Sequence, residues 1–178
     1  MTDGPTYGFD TLQIHAGARP DPATGARQTP IYQTTAYVFR DAEHAAALFN
    51  LQEVGYIYSR LTNPTVAALV ARVAALEGAV GGVGCSSGHA AQIMALFPLM
   101  GPGCNIVASS RLYGGTITQF GQSIRRFGWT ASFVDTDDLD AIKAAIDDKT
   151  RALFCETIAN PGGYVTDLDA MARLAEEA

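Results

Sequence analysis

Lysine is almost missing from this sequence: of 178 residues only Lys143 and Lys149 carry a primary amine side chain, and Lys and Arg together number 12 against 18 Asp and Glu. The resulting formal charge of −6, with no basic stripe, excludes a nucleic-acid or anionic-membrane surface, because both partners reward clustered cations. No apolar run approaches the ~20 residues needed to span a bilayer, and Met1 to Asp10 lacks the charged-then-apolar pattern of a secretory leader. A cytoplasmic protein is therefore expected. Cysteine is also scarce. Cys85, Cys104 and Cys155 are an odd number, far apart, with no CxxC pair and no His at ligand spacing. Reduced thiols in or beside a core are expected, with no metal site and no disulfide. Neither GxGxxG nor GxxxxGK[ST] occurs, which disfavours a generic nucleotide-binding domain.

What is present is a chain with 48% hydrophobic and 17% charged residues, enough to bury a sizeable core. Residues 1–62 are rich in Gly, Pro, Thr and Tyr and read as an extended arm with one short helix, Asp41 to about Leu51, capped by Asp41. The arm aromatics Tyr32, Tyr37, Phe39, Tyr56 and Tyr58 would be a liability if exposed, so a neighbouring subunit is expected to cover them. At residue 63 the pattern changes. Asn63 can cap a helix with Pro64 at its tolerated first position, apolar residues recur from Val66 to Leu76 at helical spacing, and Gly78 ends it.

Short apolar strands then alternate with amphipathic helices: strands near Val80–Ser86, Asn105–Ser109, Thr130–Val134 and Ala152–Glu156, helices near His89–Met100, Thr116–Phe127, Leu139–Ile146 and Asp167–Glu177. This grammar predicts an α/β fold, a mostly parallel sheet with helices on both faces, over residues 63–178. In such sheets ligands sit beyond the carboxyl ends of the strands. Three loops share that edge: Ser86 to His89, Ser110 to Thr116 and Thr157 to Gly163.

The first loop, Gly84-Cys85-Ser86-Ser87-Gly88-His89, reads as an anion seat, because a helix opening at Gly88 or His89 leaves backbone N–H groups unpaired at its positive end. It could equally be ordinary strand-to-helix punctuation. Arg60 carries a planar fork suited to a phosphate, and Tyr58 lies on the same side of an extended segment; a surface ion pair is the alternative. In Arg111-Leu112-Tyr113-Gly114-Gly115-Thr116 the glycines allow a flat ligand to approach and Tyr113 can lie on its face, or pack in a core. The acidic pairs Asp138/Asp140 and Asp147/Asp148 read as helix-end charges and a solvated turn.

Taken together, YSRLTNPT, SSGHAA, LYGGT and ETIANPGG, in that order, resemble motifs of the cystathionine gamma-synthase family of pyridoxal-phosphate enzymes of cysteine and methionine metabolism. The resemblance covers Thr11 to Glu177 and is strongest to the sulfhydrylase branch acting on O-acetylhomoserine, through GFDTLQIHAG, RQTPIYQTTAYVF and FNLQEVGYIYSRLTNPT. It implies the first part of a fold-type I transferase large domain, with pyridoxal 5'-phosphate as cofactor. Gly88 and His89 backbone N–H groups and the Ser87 hydroxyl would bind the phosphate, Tyr113 would stack on the ring and move protons, and Asn160 would lie beside its polar edge. Tyr58 and Arg60 would reach the phosphate of a neighbouring subunit, in a tetramer of two catalytic dimers. His89 stands where many relatives carry methionine, a change of little weight where the main chain does the binding.

The family's chemistry also requires a lysine that carries the cofactor and an aspartate at the ring nitrogen, both expected beyond Ala178. Lys143 in DDLDAIKAAIDD and Lys149 in DDKT read as solvated and unable to substitute. The resemblance thus implies a gamma-replacement of O-acetylhomoserine with sulfide or a thiol by a longer enzyme. A methionine gamma-lyase or cystathionine gamma-synthase activity is the alternative, as is a catalytically silent assembly module for these residues alone.

Overall fold

The computed structural model describes residues 7–178. The chain separates into two compact units, Met1–Gly84 and Cys85–Ala178. The boundary expected at 62/63 differs from this division, because the helix that begins at Pro64 packs on the helix at the start of the described chain.

Among the described residues the first unit contains three helices, α1 (Phe9–His15), α2 (Ala42–Phe49) and α3 (Pro64–Leu76). α1 is a correction to the arm expected from the sequence, whose one helix is α2. It forms because α3 offers it a surface. The turn after α1 lies so close to α3 that a Cβ on Gly17, at φ +70°, would sit 2.5 Å from the Ala68 carbonyl oxygen, and Arg72 Nε donates to the Ala16 carbonyl at 2.9 Å. The caps match the sequence: Asp41 accepts from the His44 N–H, and Asn63 Oδ1 accepts from the Thr65 and Val66 N–H groups. Asn63 is also a hub, its Nδ2 donating to the Tyr32 carbonyl and to Ser59 Oγ.

The strand expected near Val80–Ser86 is absent. That segment has no paired neighbour among the described residues, and Val80 and Val83 are exposed. A strand is stable only in a ladder, and the glycines at 81, 82 and 84 add no side-chain packing to replace one.

In the second unit three parallel strands, β1 (Asn105–Ser109), β2 (Thr130–Val134) and β3 (Thr150–Phe154), pair in the order β2-β1-β3. β1 is central and buried throughout. Alternation divides its side chains between two cores. Ile106 and Ala108 pack with Leu96 of α4 (Gly88–Leu96), Phe120 of α5 (Gly114–Gly121), Ile124 and Trp129. Val107 packs on the other face with Ile142 of α6 (Leu139–Ala145) and with Met171 and Leu174 of α7 (Leu168–Glu177). Helices therefore cover both faces of a parallel sheet. The single helix expected over Thr116–Phe127 is instead α5 followed by a 3-10 turn, Ser123–Phe127, because Gly121 is a weak helix former and Gln122 leaves helical geometry. Asp138 and Asp167 cap α6 and α7 through the Ala141 and Ala170 N–H groups, the helix-end role expected of Asp138.

Candidate functional site

The site is built at the edge where α4 begins. Ser87 is extended and its hydroxyl accepts from the Ala90 N–H at 3.2 Å, which fixes the first turn and leaves the hydroxyl proton free to be donated outward. Gly88 and His89, the first two helical residues, have no intrahelical acceptor for their N–H groups. A Cβ at Gly88 would meet nothing within 4 Å, so the space over this helix end is open. Two aligned donors, a hydroxyl and the positive end of the helix dipole suit a phosphate.

Tyr113 stands beside this seat, its ring centroid 6.0 Å from that of His89 with a 34° tilt between the planes. It is half exposed, so one side of the ring is available to a flat ligand. Gly115 makes the arrangement feasible, because a Cβ there would lie 2.7 Å from both the His89 and the Tyr113 rings. The backbone of His89 is held as well: its carbonyl accepts from Gln119 Nε2 at 3.1 Å. The pyridoxal group would thus find its phosphate donors and a stacking ring on adjoining elements.

Asn160 lies at the tip of a turn that closes on itself, with the Ala159 N–H donating to the Tyr164 carbonyl and the Gly163 N–H to the Ala159 carbonyl. The Asn160 N–H donates to Glu156 Oε2 at 3.1 Å, and the Tyr113 N–H donates to Glu156 Oε1 at 2.9 Å. Five of the expected residues, Ser87, Gly88, His89, Tyr113 and Asn160, therefore share one edge of the second unit. Tyr58 and Arg60 belong to the first unit, where the guanidinium lies 5.0 Å from the centroid of the tyrosine ring and both residues are exposed.

Sequence reasoning missed Glu156 and Arg111. Arg111 bonds Asp135 and Asp137 and lies 4.3 Å over the Tyr164 ring. Hydrogen bonding to Asp137, with the nearby Asp135 charge, holds its guanidinium above its ordinary pKa. A signal for both existed: each is a charged residue at the end of a strand on the ligand edge. The thiols also divide. Cys104 and Cys155 are partly buried, and burial pushes the Cys155 thiol up, whereas Cys85 is exposed, contrary to the core-side position expected of it. No metal-ligand cluster is found among the described residues, and no helix among them is long and apolar enough to cross a membrane.

Comparison with known proteins relates the chain to one family. The chain is 51% identical over 170 residues to O-acetyl-L-homoserine sulfhydrylase of Corynebacterium glutamicum, covering 95% of this chain and 39% of that protein. It is 49% identical over 170 residues to O-acetyl-L-homoserine sulfhydrylase 1 of Thermus thermophilus, covering 95% and 40%. A crystal structure from Campylobacter jejuni, named for O-acetylhomoserine (thiol)-lyase and containing a pyridoxyl-lysine monophosphate residue, matches with a TM-score of 0.88 and 40% identity, over 97% of this chain and 42% of that one. The chain thus spans about 40% of the length of the curated relatives it matches. Residues 10–178 match the model of the Cys/Met metabolism PLP-dependent enzymes, and the chain belongs to that family, whose cofactor is pyridoxal phosphate.

Proposed function

We propose that these residues form the phosphate-binding and ring-stacking part of an enzyme that exchanges the acetate of O-acetylhomoserine for sulfide or a small thiol, giving homocysteine or a thioether in methionine biosynthesis. The observation that carries this is the open start of α4, with the unpaired Gly88 and His89 N–H groups beside the half-exposed Tyr113 ring.

In this reading the Gly88 and His89 amides and the Ser87 hydroxyl proton bind the phosphate. Tyr113 covers one face of the ring, excludes water from it and holds or passes a proton at its phenolic oxygen. Asn160 borders the ring on the opposite loop. Tyr58 and Arg60 close over the phosphate of a neighbouring subunit, so that each site draws on two chains of a homotetramer made of catalytic dimers. Pyridoxal phosphate supplies, when bound, an electron sink for breaking substrate C–H bonds.

The test is turnover by the complete enzyme. It is expected to consume O-acetylhomoserine only when sulfide or a thiol is present and to release one acetate per homocysteine. Release of an oxo acid and ammonia as the main products would favour the lyase reading.

A second reading concerns the 178 residues by themselves, and the position of the amines favours it. Lys143 lies on the exposed side of α6, 3.9 Å from Glu177, and Lys149 is exposed in the turn that follows. Neither is a candidate to hold the cofactor, so the isolated chain is expected to be catalytically silent. Borohydride reduction after incubation with pyridoxal phosphate should leave no specific lysine label; a stoichiometric adduct on Lys143 or Lys149 contradicts this.

A further inference from the structure

We propose that Glu156 is a positioning residue, whose carboxylate locks the Tyr113 backbone and the Asn160 turn together as one wall of the cofactor site. The inference rests on the reading of that site given above and deepens it.

Glu156 stands just past the end of β3, and its two carboxylate oxygens take one amide each: Oε1 from Tyr113 at 2.9 Å and Oε2 from Asn160 at 3.1 Å. These amides belong to different loops, the one leading into α5 and the one after β3. Tyr113 is the residue preceding α5, and its N–H has no acceptor within that helix. A carboxylate at the edge of an anion seat would be unfavourable unless its charge were engaged, and here both oxygens are. Hydrogen bonds to an ionised carboxylate are roughly twice as strong as neutral ones, so they fix backbone position rather than merely satisfy donors.

The clamp is itself held. The Glu156 carbonyl accepts from Thr166 Oγ1 at 2.7 Å, and the segment between them closes through the Ile158 and Val165 bridge and the Thr166 N–H to Thr157 carbonyl bond. A second tie joins the same two loops, because Arg111, two residues before Tyr113, stacks on Tyr164. Glu156 differs from that tie in acting directly on the backbone of the two residues that would border the ring. A shift of the stacking ring by about 1 Å is enough to cost on the order of 100-fold in rate.

Glutamine distinguishes positioning from bulk, since it keeps the size of Glu156 but offers one carbonyl oxygen where the carboxylate offers two acceptors. The experiment compares the complete enzyme with its E156Q and E156A variants. Amide hydrogen exchange at Tyr113 and Asn160 is measured without cofactor; the visible circular dichroism of bound pyridoxal phosphate, kcat and KM are measured with it. E156Q is expected to exchange about tenfold faster at one or both amides, the loss of a charge-assisted bond. It should also alter the cofactor's dichroism and lower kcat by about 10- to 100-fold with little change in KM, and E156A should do more. Wild-type exchange at both amides in E156A would overturn the proposal. So would faster exchange with unchanged dichroism and kcat, which would make Glu156 structural only. A wild-type enzyme that takes up no cofactor removes the site reading and this role with it, and it is recognised before any variant is compared.

Discussion

Every residue of β1 in the second unit is at most 8% exposed, while in the first unit Leu48, Asn63 and Ala74 are the buried residues among those described. The two units are held by different physics. The second has a parallel sheet with apolar cores on both faces, and its site loops grow from strand ends fixed by those cores. The first is joined by polar links through Asn63, Thr65 and Arg72, and leaves Val66, Leu69 and Val73 of α3 exposed. The difference shows where precise positioning is available: Tyr113 and Gly88 are attached to a closed core, whereas Tyr58 and Arg60 are attached to a hydrogen-bonded scaffold.

The largest expected effect lies in the second unit. Phe120 is fully buried, edge-on to Phe154 at 4.8 Å between ring centroids. F120A should cost about 3–5 kcal/mol in denaturant unfolding and loosen the loop that bears Tyr113. A loss under about 1 kcal/mol would mean that this core is not what holds the unit. Next comes Asn63, whose replacement by Ala removes a helix cap and leaves the Tyr32 carbonyl without its amide donor. N63A should cost about 2 kcal/mol, and N63D, which keeps the acceptor but not the donor, about half of that. Equal losses in N63A and N63D would show that the donor bonds carry the whole effect.

The smallest expected effect is electrostatic. Asp147 is held below its ordinary carboxylate pKa of 3.8 by the Lys149 N–H first, and then by the Thr150 hydroxyl and the Asn105 amide. A lowered native pKa means that its contribution is fully present above about pH 3.8 and is lost as pH falls through the native value. D147N should therefore flatten the acid limb of the stability curve and leave the order of the first two effects unchanged. An acid limb identical to wild type would remove this role.

Much of this contrast was legible in the sequence. The spans of β1 and β2 follow from their apolar runs, and the caps at Asp41, Asn63, Asp138 and Asp167 from side chains that compete for helix-end amides. The strand near Val80 was misread because apolar alternation reports a tendency to be buried, not the presence of a ladder partner. α1 was missed because its stability comes from contact with α3, which is distant in sequence. At the candidate site, the loop chemistry of Ser87, Gly88, His89 and Tyr113 left a ligand seat and ordinary structure as equal alternatives, and the family resemblance supplied their expected roles. Glu156 carried a signal in its charge at a strand end, but not its role, which lies in bridging two amides 43 and 4 residues away.

The most direct test of the account is Gly88. Since a Cβ there meets nothing within 4 Å, and an acidic side chain is favourable in the first turn of a helix, G88D should fold as stably as the wild type. Its carboxylate would nevertheless occupy the open space over the Gly88 and His89 amides. Titration of the complete enzyme with pyridoxal phosphate should then show affinity weakened by about 100-fold or more, the loss of two bonds to a charged group. Wild-type affinity in a folded G88D enzyme would contradict the assignment of the α4 start as the phosphate seat.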